Sequence, residues 1–124
     1  MKLKIDDNKK ISVIQKEFNE AFPYLKLEFF EHPHAKGTGS PKKQMKNPML
    51  TLEECRKKHT AGNLIITESQ SVGQVEKSFY DIFGLPVQVF RKSGKLWLET
   101  TITDDWTLKQ QNDQGRELSS PIKD

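Results

Sequence analysis

The sequence contains an internal repeat, and this repeat restricts the possible folds more than any other feature. Residues 3–22 align without a gap on residues 64–83, which lie 61 positions later in the chain. Both segments carry apolar side chains at the i, i+3, i+4 spacing that gives a helix one apolar face. The aligned pairs of this stripe are Ile11 and Val72, Ile14 and Val75, Phe18 and Phe79, Ala21 and Ile82, and Phe22 and Phe83.

Short runs with alternating apolar residues flank each stripe, and such alternation is typical of strands. After the helix, one extra residue in the second copy brings Leu25 and Leu27 into line with Val87 and Val89. Each copy therefore has the order strand, helix, strand, which predicts two βαβ units in tandem.

Local signals set the ends of the two helices. Ser71 is followed three residues later by Gln74, which predicts a capping box, and Gly84 stands where a helix ends on glycine. The first helix, from about Lys10 to Phe22, is stopped by Pro23, which cannot continue a helix.

Two βαβ units predict an α+β fold, the ferredoxin-like sandwich, with both helices on one face of an antiparallel sheet of order 2-3-1-4. The turn at Ser93-Gly94 predicts a hairpin to a fifth strand at the sheet edge, and a last helix starts at Thr103 or Asp104 and runs to about Asn112. A small parallel α/β sheet is the alternative. We expect one domain, 1–124, made of a first copy (1–31), a basic loop insertion (32–61), a second copy (62–92) and the edge strand with the C-terminal helix (93–118).

The insertion holds the basic excess of the chain. Between His32 and Ala61 there are seven basic residues against two acidic ones, a net charge of +5, whereas the rest of the chain carries −2. We expect 35–47 to be mobile and dispensable for folding, because it has no evident apolar anchor. Its basic side chains are candidates for binding nucleic acid or another polyanion. They are Lys42, Lys43, Lys46, Arg56, Lys57 and Lys58.

The sheet face turned away from the two helices is the other candidate surface. Alternation places aromatic rings among lysines there, as in RNA-recognition domains, but the signature of those domains is missing. A broad apolar face is unusual on a monomer, so we expect the last helix, through Trp106, or a second subunit to cover it. The candidate interface residues are Phe30, Phe90, Trp97 and Trp106.

Catalysis and metal binding find little support in the sequence. His32, His34, Cys55 and His59 supply the ligand count of a zinc site, but neither pair has a recognised zinc spacing. The basic neighbours of Cys55 could lower its pKa, but no catalytic base accompanies it. We therefore predict no enzyme activity, no catalytic residue, no metal site and no cofactor.

The segment Val87–Gly115, "VQVFRKSGKLWLETTITDDWTLKQQNDQG", resembles a group of small uncharacterised bacterial proteins that end in a similar hairpin and Trp-containing segment. This resemblance implies a stand-alone bacterial domain and transfers no functional residue. The single cysteine and the charged N-terminus, which is unlike a signal peptide, predict a soluble cytoplasmic protein that does not enter membranes.

The function we expect is non-catalytic: a module that binds another protein or associates with itself as a homo-oligomer. The alternative is binding of nucleic acid or another polyanion through the basic insertion.

Overall fold

A computed structural model describes residues 1–35 and 37–120 of the chain. Lys36, one of the basic residues of the insertion, and residues 121–124 lie outside it. The elements follow in the order β1 Lys2–Ile5, α1 Ile11–Ala21, β2 Leu25–Phe29, a 3-10 turn Lys42–Gln44, α2 Leu52–Cys55, β3 Gly62–Ile65, α3 Val72–Phe83, β4 Val87–Ser93, β5 Leu96–Glu99 and α4 Leu108–Ser119.

The predicted α+β class is confirmed, and so is the strand-helix-strand order of both copies, β1-α1-β2 and β3-α3-β4, although the two strands of each copy lie in different sheets. The α3 boundaries are also as predicted. The Ser71 side chain accepts from the Gln74 backbone N–H while the Gln74 side chain accepts from the Ser71 N–H, and Gly84 ends the helix at a φ of 65°. The last helix begins later than predicted, at Leu108 with Thr107 as its cap.

The strands form two antiparallel sheets, so the predicted single sheet of order 2-3-1-4 is wrong. β1 pairs with β3, and a separate sheet has the order β2-β4-β5. The fifth strand does extend the edge beside β4, as predicted. Alternation sets which face of a strand is buried and leaves open which strand lies next to it, so a duplicated βαβ unit alone does not fix the strand order.

The two copies are related by an approximate two-fold axis. Leu3 lies opposite Leu64 in the first sheet, and Leu27 lies opposite Val89 in the second. Each of these residues faces its own counterpart in the sequence repeat. An antiparallel ladder places equivalent residues opposite each other only where a two-fold axis passes through it, so the repeat forms an internal pseudo-dimer.

The repeat extends further than the sequence pattern indicated. The N–H of Ile11 donates to the carbonyl of Leu50 at 3.0 Å, and the N–H of Val72, its counterpart, donates to the carbonyl of Trp106 at 2.9 Å. Bridges pair Lys10 with Thr51 and Ser71 with Thr107 in the same way. α2 is therefore the counterpart of the start of α4. The predicted basic loop insertion, 32–61, therefore includes a short helix that belongs to the repeat.

The core lies between the helices and one face of each sheet. The four phenylalanines of the duplicated stripe are buried as predicted: Phe18, Phe22, Phe79 and Phe83. Leu52 of α2 and Leu108 of α4 are fully buried in the same cluster. α4 lies on the side of Arg91, whose guanidinium donates to Gln111 at 3.0 Å. Arg91 and Val89 share one face of β4, so α4 lies on the helix side of the sheet.

The first half of the insertion covers part of the opposite sheet face. Gly39 lies directly against the carboxylate of Glu99 on β5, and Met45 pairs with Phe30 beyond β2, at the other edge of the sheet. The chain between them must therefore cross the sheet on the side of the Glu99 side chain. Lys46 also donates its N–H to the carbonyl of Phe29 at 2.7 Å. The expectation that this segment has no anchor is wrong.

Candidate functional site

The outer face of the β2-β4-β5 sheet is the surface that faces away from α1, α3 and α4. Strand register places on it the side chains of Lys26, Glu28, Gln88, Phe90, Lys92, Trp97 and Glu99. Gln88 is fully buried, and the insertion crosses this region. The last helix does not cover the outer face, so the first of the two predicted covers is wrong.

A cation–aromatic cluster lies on the outer face. The Lys26 ammonium lies 5.4 Å from the ring centroid of Phe90 and 5.1 Å from that of Trp97. Such contacts are attractive because the ring faces carry negative charge. Phe90 and Trp97 are half-buried and share this face, as predicted, but Lys26 covers both rings.

The other two aromatic candidates lie elsewhere. Phe30 is only 2% exposed, so it is part of the interior and is not an interface residue. The insertion could not be located from the sequence, so this burial was missed. Trp106 is 36% exposed and lies beside the N-terminus of α3, where its carbonyl accepts the Val72 N–H. It does not dock on the outer face.

β5 forms one edge of the sheet and is unusually apolar for an edge strand. Leu96 and Leu98 are 66% and 42% exposed, on the face opposite Trp97. Thr100 donates its N–H to the carbonyl of Val89. In an antiparallel pair every second residue is hydrogen-bonded to the neighbouring strand, so the backbone groups of Leu98 and Leu96 also bond to β4. The N–H and C=O groups of Trp97 and Glu99 therefore point outward. In the described part of the chain, no strand pairs with this edge.

Arg56, proposed for polyanion binding, has a structural role. Its fully buried guanidinium donates to Asp7 at 2.9 and 3.1 Å and to the carbonyls of Thr60 and Phe83. Burial acts to raise the pKa of Asp7, but the hydrogen bond and positive charge of Arg56 hold that pKa below its ordinary value. Arg56 therefore joins the segment after β1, the C-terminal end of α3 and the insertion.

The other basic candidates do not form one positive surface. Lys58 donates to the carbonyl of Asp81 at 2.8 Å, and Lys46 lies 3.9 Å from Glu31. Lys42, Lys43 and Lys57 are exposed. Lys46, Lys57 and Lys58 line one cavity of about 750 Å³, but Glu31, Glu54 and Asp81 line it too.

The residues considered for zinc do not form one cluster: His32 and Cys55 line the cavity of about 750 Å³, whereas the other two histidines have carboxylate partners. His59 contacts Asp7, and His34 contacts Glu76. Burial raises the pKa of the Cys55 thiol, contrary to the idea that its basic neighbours lower it. Across 1–35 and 37–120, no group of three or more His, Cys, Asp or Glu side chains is placed to hold a metal ion.

His34 and Glu76 form a buried ion pair. The His34 Nε2 donates to Glu76 at 3.1 Å, and its Nδ1 faces the carbonyl of Ala35 at the same distance. Both ring nitrogens face acceptors, so the doubly protonated, positively charged imidazole matches its surroundings. The hydrogen bond to Glu76 raises the pKa of His34 to about 9, against the opposing effect of burial. The second Glu76 oxygen accepts the Val89 N–H at 2.9 Å, so this pair fastens the insertion to α3 and β4.

Glu76 and its repeat counterpart, Gln15, share a feature that could have been recognised in the sequence. Both lie four residues after the first residue of the stripe, inside the apolar face of their helix. Gln15 donates its side-chain amide to the carbonyl of Leu27, and Glu76 accepts from Val89, the counterpart of Leu27. In each copy, therefore, the polar residue inside the apolar stripe contacts the backbone of the strand that follows the helix.

Comparison of the chain with models of protein families, with curated proteins and with solved structures gives no match. In the part of the chain that the structure describes, no helix has the length and apolar character needed to cross a bilayer.

Proposed function

We propose that this protein is a non-catalytic binding module that associates with a second copy of itself through the outer edge of β5. The supporting observation is the edge itself, a strand whose outward backbone groups have no partner strand among the described residues and whose leucines are exposed. Unpaired edges of this kind join readily with another strand, and natural edge strands are usually protected by charge, proline or a bulge.

The sequence of β5 is complementary to itself when two copies run antiparallel. If Trp97 lies on the two-fold axis opposite its equivalent, Lys95 lies opposite Glu99 of the second copy and Leu96 lies opposite Leu98. The backbone groups of Trp97 and Glu99 point outward, so they would form the new hydrogen-bonded pairs. The four leucines would then form one apolar cluster on the helix side of the joined sheets.

A charge exchange tests this register. Lys95→Glu places like charges opposite each other twice per dimer, and cross-strand charge pairs contribute roughly 0.2–1 kcal/mol each. We expect the dimer dissociation constant to rise by roughly 2- to 30-fold. Glu99→Lys should act in the same direction, and the double variant Lys95→Glu/Glu99→Lys should restore association. Sedimentation equilibrium measures all four proteins.

Two exposed apolar residues provide the matched comparison. Leu98→Lys should prevent association, whereas Ile102→Lys should not, because Ile102, which is 90% exposed, lies outside β5. Equal effects of the two changes, or a double charge variant that stays as weak as the singles, would show that β5 is not the interface.

The alternative, binding of a polyanion through the insertion, receives no support from a specific contact. Arg56 is buried, and the cavity of about 750 Å³ is lined by acidic side chains as well as by lysines. We also propose a reducing bacterial cytoplasm as the location, because Cys55 has no second cysteine with which to form an internal disulfide.

A further inference from the structure

A cavity of about 440 Å³ lies beside the N-terminal half of α3, away from the edge of β5. Its walls are the start of the insertion at Pro33 and His34, the α3 side chains as far as Asp81, and the segment Asp104–Asp105 that precedes α4. Pockets that bind small organic ligands have volumes of about 300–1,000 Å³.

Asp104 is the feature of this cavity that requires an explanation. The residue is only 8% exposed and lines the cavity, and its carboxylate, whose oxygens keep some contact with open space, makes no hydrogen bond or ion pair within the described residues. Buried charges are normally paired, because removing a carboxylate from water without compensation is costly. A charge that is buried except toward a cavity is placed for a ligand that enters the cavity.

The fold does not require a carboxylate at this position. The carbonyl of Asp104 accepts the Gly73 N–H at 2.7 Å, and the equivalent bond in the first copy joins the Ser12 N–H to the carbonyl of Pro48. Proline thus makes the same backbone contact without a charged side chain. The carboxylate is specific to the copy that has the cavity.

The α3 N-terminus does not use the carboxylate as a cap either. Its first four N–H groups donate to the carbonyl of Trp106, the carbonyl of Asp104, the side chain of Ser71 and the carbonyl of Ser71, in that order. No N–H of this turn is left for the Asp104 carboxylate or for an anionic ligand.

The remaining charges give the cavity a negative character. His34 is paired with Glu76, and Lys77 is paired with Asp81. Asp104 and its neighbour Asp105 are the other charged residues that line the cavity. The cavity also has an apolar wall formed by Tyr80, Pro86 and Val87, and the face of a tyrosine ring attracts cations.

We propose that this cavity binds a small organic cation, an ammonium or guanidinium group on an aliphatic stem. Asp104 accepts hydrogen bonds from the cationic head, and Tyr80 and Val87 contact the stem. The group can belong to a free amine or to a lysine or arginine side chain of another protein. This site is independent of the proposed self-association.

Amide-detected NMR titration of the full chain tests the proposal at constant ionic strength. The probes are n-butylammonium and n-butylguanidinium, with n-butanol as the neutral match and butyrate as the anionic one. We expect saturable shifts of the Gly73 and Val87 amides with the two cations only. Shifts that do not saturate, or equal shifts with butanol or butyrate, would overturn the proposal.

Variants assign the binding to Asp104. Asp104→Asn keeps the shape of the side chain and removes its charge, so affinity should fall at least about tenfold through loss of a charge-assisted hydrogen bond. Asp113→Asn, at an acid on α4 outside the cavity, should leave affinity unchanged. Unchanged affinity in Asp104→Asn would refute the site. If that variant does not fold, Tyr80→Leu, at a residue that is 44% exposed, should weaken binding by about threefold or more, and unchanged binding there would refute the site.

Two further probes distinguish the source of the cation. Tighter binding of cadaverine supports a free amine as the ligand, and tighter binding of N-acetyl-lysine amide supports a lysine side chain of a partner. The Lys95→Glu variant should bind either probe as the natural sequence does, which separates the failure of this site from the failure of self-association.

Discussion

Leu52 and Leu108 are counterparts in the extended repeat, and truncating each of them tests whether both copies contribute to one core. Both side chains are fully buried. Leucine to alanine removes about three buried carbons at ~0.8 kcal/mol each, roughly 2.4 kcal/mol. The cavity that remains raises the expected loss to about 3–5 kcal/mol for each variant.

Urea unfolding followed by circular dichroism measures these losses in Leu52→Ala and Leu108→Ala. Leu118→Ala is the matched control, because this leucine is 45% exposed on the same helix as Leu108, and its loss should stay within about 0.5 kcal/mol. A loss near zero in Leu52→Ala would show that α2 is a peripheral part of an inserted loop. The extension of the repeat beyond the βαβ units would then be wrong.

Three other changes test particular contacts. The pKa of His34 is raised from 6.5 to about 9, so the ion pair with Glu76 stabilises the fold fully below pH 6.5. This contribution, ~3 kcal/mol at most, is lost as the pH rises to about 9. The free energy of unfolding of His34→Gln should not show this decline with pH. Gly84→Ala should cost about 1–2 kcal/mol of stability, because residue 84 has a left-handed backbone. The loss should exceed that of Gly94→Ala, because a Cβ at 84 would lie 3.0 Å from the Cβ of Lys58, whereas the space at 94 is open. Equal losses in thermal unfolding would contradict this. Phe30→Ala should lose about 3–5 kcal/mol in urea, since the insertion buries this ring, and a loss near zero would show that the insertion does not cover the sheet.

The sequence carried enough information for the parts of the fold that depend on periodicity. The stripes around Phe18 and Phe79 identified both helices and their buried faces, and the Ser71 and Gly84 signals located the ends of α3. These features are local, because burial of a stripe requires only that something covers it. The pairing of β2 with β4 is not local, and no pattern within either strand specified its neighbour.

The sites were less predictable because they combine segments that are distant in the sequence. His34 and Glu76 are 42 residues apart, and neither residue indicates the other. The charge run 56–58 indicated an exposed basic surface, but the fold turns Arg56 inward to Asp7. The repeat beyond the βαβ units was missed because only a Thr-Leu pair, Thr51-Leu52 and Thr107-Leu108, remains recognisable across connections of different length.

The most direct test of self-association is sedimentation equilibrium of the natural sequence from about 10 μM to about 500 μM. We predict a reversible, concentration-dependent rise in mass from 14.3 kDa to twice that value. The Leu98→Lys variant should remain at 14.3 kDa throughout. A natural sequence that stays at 14.3 kDa over the whole range would contradict the proposal that β5 joins two copies.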